Sequence, residues 1–185
     1  VSGQLRLFVA AEPPAVVCDQ LADWARRALG RNAAIRRLDP ALAHLTLCFL
    51  GAQPPGAVAE IATVLAALVE PAAAVEELAI GAPAWLPPRR PRVLAVEVGD
   101  PEGTLRALHE RMSRELTAAL AWQPPRERFR PHITLARMRP GSERARELPP
   151  TPPLRFAPTA VTLFRSDLDA AGATYTALHS IPSSG

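Results

Sequence analysis

The chain contains no lysine: all 21 of its basic residues are arginine. A lysine nucleophile or a Schiff base is therefore excluded, and every cationic contact must be made by a planar guanidinium, suited to bidentate phosphate binding and to stacking. Cysteine is almost as scarce. Cys18 and Cys48 form no CxxC or other ligand spacing, which argues against both a disulfide framework and a thiolate metal site. Cys48 reads as a small packed residue on the strand face that carries His44 and Thr46. No apolar run reaches the roughly 18 residues needed to span a bilayer, and no signal peptide is visible, so the chain is read as cytoplasmic with no membrane partner.

The charged fraction is ordinary, but a large excess of either sign is lacking. The net charge is only +3, which does not describe a protein coated in nucleic acid. The distribution is uneven, however. Between Pro124 and Pro140, Arg126, Arg128, Arg130, Arg137 and Arg139 face Glu127 alone. Proline is abundant, at 21 residues, but it falls in short runs such as Pro13-Pro14 and Pro87-Pro88 that punctuate elements instead of forming a disordered tract.

Within this background, one short pattern occurs twice. His44-Leu45-Thr46-Leu47 and His132-Ile133-Thr134-Leu135 share the form His-x-Thr-apolar, 88 residues apart. Each lies in an apolar run that reads as a β-strand, where residues i and i+2 point to one face. Each copy thus offers an imidazole beside a hydroxyl. The elements around them repeat as well: strand, helix, loop and motif strand run from about 5 to 50 and again from about 93 to 137. The first strand is Leu5 to Ala10. Helices are expected from Pro14 to about Leu29, from about Gly56 to Val69, and from about Asp100 to Leu120. Further strands are expected at Val75 to Ile80, Arg92 to Val98, Leu154 to Ser166 with a bend at Pro158, and Thr174 to Ile181. The last two form a hairpin around Asp167 to Gly172.

This order predicts an α+β protein: one bilobal domain over residues 1–185, with repeat-like halves at about 5–70 and 93–181. The lobes are pseudo-twofold duplicates, each an antiparallel sheet with helices on its outer face and the active cleft between them. Two imidazoles flanking one phosphorus can serve as acid and base for phosphodiester cleavage, with Thr46 and Thr134 donating to non-bridging oxygens. A lone histidine on an apolar strand is usually a packed residue; two in matching positions read as one site. His109 and His179 lack such partners and are read as structural or surface positions. No Asp, Glu, Cys or second His stands at ligand spacing from either motif, so no metal is expected.

Four blocks carry a resemblance: RLFVAAEPP (Arg6 to Pro14), HLTLCFLG (His44 to Gly51), FRPHITLAR (Phe129 to Arg137) and LFRSDLDAAGATYTAL (Leu163 to Leu178). They resemble the two-histidine phosphoesterase superfamily, and within it the bacterial and archaeal RNA 2′,3′-cyclic phosphodiesterases, also called 2′-5′ RNA ligases. The resemblance implies metal-free, cofactor-free hydrolysis of RNA 2′,3′-cyclic phosphate ends to 2′-phosphates, with His132 as general base and His44 as general acid. It implies phosphate binding by Thr46, Thr134 and Arg137, and Phe8 lining the cleft; Arg130 is added as a lining residue from the basic loop. Strand parity alone places Arg137 on the face opposite His132. The implied partner is RNA with a cyclic end, tRNA fragments among them, met by a monomer. Reversible 2′-5′ ligation is a further possibility by the family's other name; an ATP-driven ligase is not, since no nucleotide-activating Lys motif or P-loop is present. The same chemistry on small cyclic nucleotides or 2′-5′ oligonucleotides, and a non-catalytic RNA-binding module, stay open as alternatives.

Overall fold

A computed structural model describes residues 3–69, 77–139, 147–169 and 172–183. Its elements follow in the order β1 (Leu5–Glu12), α1 (Ala15–Leu29), β2 (Ile35–Arg37), a 3₁₀ turn (Pro40–Leu42), β3 (Leu45–Gln53), α2 (Ala57–Val69), β4 (Leu78–Leu86), β5 (Val93–Gly99), α3 (Thr104–Ala119), β6 (His132–Met138), β7 (Arg155–Phe156), β8 (Ala160–Asp169) and β9 (Gly172–Pro182). The α+β class and the antiparallel pairing are as expected. Val75 and the tip of the last hairpin, residues 170–171, fall outside the described residues.

The strands form one sheet in the order β7-β4-β5-β6-β3-β1-β8-β9, with β2 also paired to β6. The two motif strands meet at its centre through one pairing, Leu45 with Ile133. On either side the order is matched: β3 pairs β1 as β6 pairs β5. The outer strands exchange between the sequence halves. The hairpin β8–β9 lies in the second half of the chain yet pairs with β1 of the first, and β4, which lies between the halves, pairs with β5 of the second. The stretch expected as one strand bent at Pro158 is two strands at opposite parts of the sheet, β7 on β4 and β8 on β1. Proline lacks the N–H a ladder needs and forces the preceding residue to stay extended, so the chain leaves one sheet edge there and joins another.

Alternate residues of the central strands (Leu7, Val9, Leu45, Leu47, Ile133, Leu135) are buried with the apolar stripes of the helices. Leu21, Ile61, Leu65, Leu105, Met112 and Leu116 supply those stripes and are fully buried. Each such side chain contributes roughly 1.5–3 kcal/mol on burial. The helices cover one face of the sheet, and the histidines stand on the other. Among the described residues no helix is long and apolar enough to cross a membrane.

Candidate active site

Each motif histidine is set by a backbone carbonyl two residues before it. The Nδ1 of His44 lies 2.7 Å from the carbonyl oxygen of Leu42, and the Nδ1 of His132 lies 2.8 Å from that of Arg130. A carbonyl only accepts, so Nδ1 donates in both rings and Nε2 is left as the working nitrogen. For His44 the carbonyl is delivered by the 3₁₀ turn, itself capped by the Asp39 carboxylate accepting from the Ala41 N–H at 3.0 Å. The sequence repeat is thus also a repeat of hydrogen-bond geometry.

The pairing of Leu45 with Ile133 puts both of those residues in the core. Because strand residues alternate, His44, Thr46, His132 and Thr134 all stand on the opposite face, two from each strand. Beyond each threonine the alternation breaks. A register shift lies opposite Leu47 in the β1–β3 ladder, and another opposite Leu135 in the β5–β6 ladder. These are β-bulges: one extra residue shifts everything after it to the other face. Leu47 and Cys48 are both buried in the core, as are Leu135 and Ala136.

Two expectations are corrected by these bulges. Cys48 does not share a face with His44. Its Sγ lies 3.7 Å from the Ser113 Oγ on α3, on the helix side, and burial pushes the thiol up to about 11. Arg137, placed by simple parity on the wrong face, is turned onto the face of His132 and Thr134 and lines the cleft. The matching position after the first bulge is Phe49, at 41% one of the few large apolar side chains left exposed among the described residues. The Arg6 guanidinium lies 4.6 Å from the centre of its ring.

The cleft has a volume of about 340 Å³ and is lined by Arg6, Phe8, Arg36, His44, Thr46, Phe49, Arg137, Ser166, Ala173 and Tyr175. His132 and Thr134 do not line this cavity; they flank it across the β3–β6 seam. Arg130 does not line it either. Its guanidinium is held by the Glu97 carboxylate, whose strand position is directly opposite His132, and its contribution to the site is the carbonyl that orients His132.

Phe8 lines this cleft, and it has company that the motifs did not reveal. Its ring is 4.9 Å from His44, stacked 5.2 Å from Phe164 and edge-on 5.1 Å from Tyr175, which is itself edge-on to His44 at 5.1 Å. Burial in this aromatic cage lowers the His44 pKa below the ordinary imidazole value. The hydrogen bond to Leu42 opposes the shift, while the charges of Arg137 and His132 reinforce it. Phe164 and Tyr175 sit inside the fourth sequence block, but only the pairings β1–β8 and β8–β9 bring them to the histidine. Arg6 opens the first sequence block but was given no role there, and Arg36 lies in none of the blocks.

His109 is structural, as expected. Its Nδ1 donates to the Leu47 carbonyl at 2.9 Å and its ring stacks 3.9 Å from Phe129, which tethers the approach to His132 on the helix side. Burial lowers its pKa too. Both His44 and His109 are therefore easier to protonate in the unfolded chain. Their contribution to stability is complete above their ordinary value of 6.5 and is lost as pH falls through their lowered folded values. Thermal unfolding is expected at a clearly lower temperature at pH 5 than at pH 7.5. His109→Gln should flatten that dependence, and an unchanged pH profile in this variant would remove His109 from the account.

Comparison with known proteins agrees with this geometry. A family model described as the 2′-5′ RNA ligase superfamily matches residues 8–170. An RNA 2′,3′-cyclic phosphodiesterase of Aeropyrum pernix is 36% identical over 96 residues, which span 52% of this chain and 53% of that protein, about half its length. The crystal structure of a Thermus thermophilus protein, TT0787, superimposes with a TM-score of 0.83 at 27% identity, covering 96% of this chain and 97% of that one. Escherichia coli LigT, solved with 3′-AMP, superimposes with a TM-score of 0.77 at 26% identity, covering 98% and 99%. With both histidine motifs inside the matched region and the fold shared from end to end, this chain belongs to the 2′-5′ RNA ligase superfamily.

Proposed function

We propose that the protein hydrolyses 2′,3′-cyclic phosphate ends of RNA to 2′-phosphates, using His132 and His44 as an acid–base pair and no metal. The observation that carries this reading is the doubled hydrogen bond from Nδ1 to the carbonyl two residues back, which leaves two Nε2 atoms for one reaction. Water attacks the phosphorus while the Nε2 of His132 takes its proton. The bond from phosphorus to the 3′ oxygen breaks, and the Nε2 of His44 gives its proton to that oxygen. The product keeps its phosphate on the 2′ oxygen and gains a free 3′ hydroxyl. Thr46 and Thr134 donate to the non-bridging oxygens, and Arg137 offsets the charge that builds there.

The acid role asks His44 to be protonated although its cage favours the neutral ring. A phosphate anion bound beside it reverses that preference, both by its own charge and by engaging the Arg137 guanidinium that otherwise repels a proton. The pair then titrates as a unit. Phe49 with Arg6 offers a stacking surface for the terminal base. A 5′-hydroxyl in place of water would give a 2′-5′ linkage by the same proton transfers. Among the described residues no group of three or more His, Cys, Asp or Glu side chains is placed to hold a metal ion.

The test is product analysis on a cyclic-ended oligoribonucleotide, with the protein pretreated with a chelator. The expected outcome is full turnover and a phosphorus NMR signature of a 2′-phosphate. A 3′-phosphate would invert the leaving group, and loss of turnover on chelation would end the metal-free reading. RNA binding without turnover would leave the binding-module alternative.

A further inference from the structure

The strand β2 puts Arg36 directly across from Arg137 in the β2–β6 ladder. Both side chains are exposed, and both line the catalytic cleft. Two guanidiniums on one face of a sheet present a pair of planar donor forks to the same anion. Arg36 also lines a second, more open hollow of about 480 Å³ together with Arg31, Asn32 and Arg37. It is shared by both cavities. Arg37 donates to the Gly30 carbonyl at 3.0 Å, which fixes the loop that presents Arg31. The result is a line of guanidiniums leading out of the site: Arg137, then Arg36, then Arg31.

We propose that this line is a track for the phosphates of a single-stranded polynucleotide. Arg36 takes the phosphate joining the last two nucleotides, and Arg31 takes one further from the end. The proposal rests on the reading of the cleft as the place of the terminal phosphate. It gives the site a preference for polymers over cyclic mononucleotides, from positions remote from the Arg-rich loop before His132. Of that loop, Arg130 is already held by Glu97. Guanidiniums suit the role, since they bind phosphate oxygens two at a time.

The test has a binding arm that does not depend on catalysis. A labelled RNA hexamer ending in a 2′-phosphate is titrated by fluorescence anisotropy into the wild type and into Arg31→Glu. Weakening by about tenfold or more is expected, the scale of one lost charge-assisted contact. For Arg31→Gln the slope of log affinity against log salt should shrink by about 0.7, the share of one phosphate on a single strand. The second arm compares kcat/KM on a cyclic-ended hexamer with that on a nucleoside 2′,3′-cyclic phosphate. The hexamer-to-mononucleotide ratio should fall in Arg31→Gln by a similar factor. Equal hexamer affinity in wild type and Arg31→Glu, with an unaltered salt slope, would overturn the track whatever the enzyme turns over. Arg31-dependent binding without turnover would support the track and instead overturn the proposed hydrolysis.

Discussion

Alanine at His44 or at His132 is expected to lower kcat on a cyclic-ended oligoribonucleotide by about 10²–10⁴-fold, the range for losing one positioned acid or base. The double variant should be only a little worse than either single one, as the proposed single proton relay through both rings requires. Their roles separate when the leaving group is changed. A terminus with sulfur in place of the bridging 3′ oxygen leaves without a proton. His44→Ala should then recover most of its lost rate, while His132→Ala should stay inactive, since water still needs its base. Recovery of His132→Ala instead would exchange the two roles. Equal activity of all variants on the natural substrate would remove both histidines from the chemistry. His44→Ala also empties part of the aromatic cage, so thermal unfolding of each variant should accompany the kinetics.

Arg137→Ala is the second large effect. A single preorganised donor to a developing anion is worth about 10²–10³ in kcat. The same substitution removes a charge that disfavours protonation of His44, so the pH profile of the residual activity should move as well as the rate. Raised proton affinity of His44 shifts the acid-dependent limb to higher pH. Arg137→Lys keeps the charge but loses the planar fork, and should restore the pH profile more fully than the rate. If Arg137→Ala kept wild-type kcat, the turn of this side chain onto the site face would be without catalytic purpose.

Much of the site was legible in two tetrads because His-x-Thr on a strand is a statement about one face. His44, Thr46, His132 and Thr134 follow from period two alone, and the burial of Leu45, Leu47, Ile133 and Leu135 is the complement of the same rule. Arg137 and Cys48 were assigned to the wrong faces for one shared reason. A bulge adds a residue without any compositional mark, here at Leu47–Cys48 and Leu135–Ala136, and period-two reasoning fails after it. Gly51 marks a further irregularity that composition does not reveal. It suggests a strand end, yet with φ at 69° it carries β3 through another irregularity and on to Gln53. Phe164, Tyr175 and Arg36 could not be placed without register. What brings them to His44 and Arg137 is which strand lies beside which, a property of pairing between segments far apart in the chain.

The exchange of outer strands sets an order of completion. His44 is translated early, but two of the three rings that enclose it, Phe164 and Tyr175, belong to the hairpin β8–β9 more than a hundred residues later. Until that hairpin docks on β1, His44 lacks two of its enclosing rings and part of the burial that lowers its proton affinity, and Phe8 lacks its stacking partner. An emerging chain therefore carries two histidine motifs but not yet a tuned pair. The surroundings of the first motif are completed last, by the strands that close the sheet.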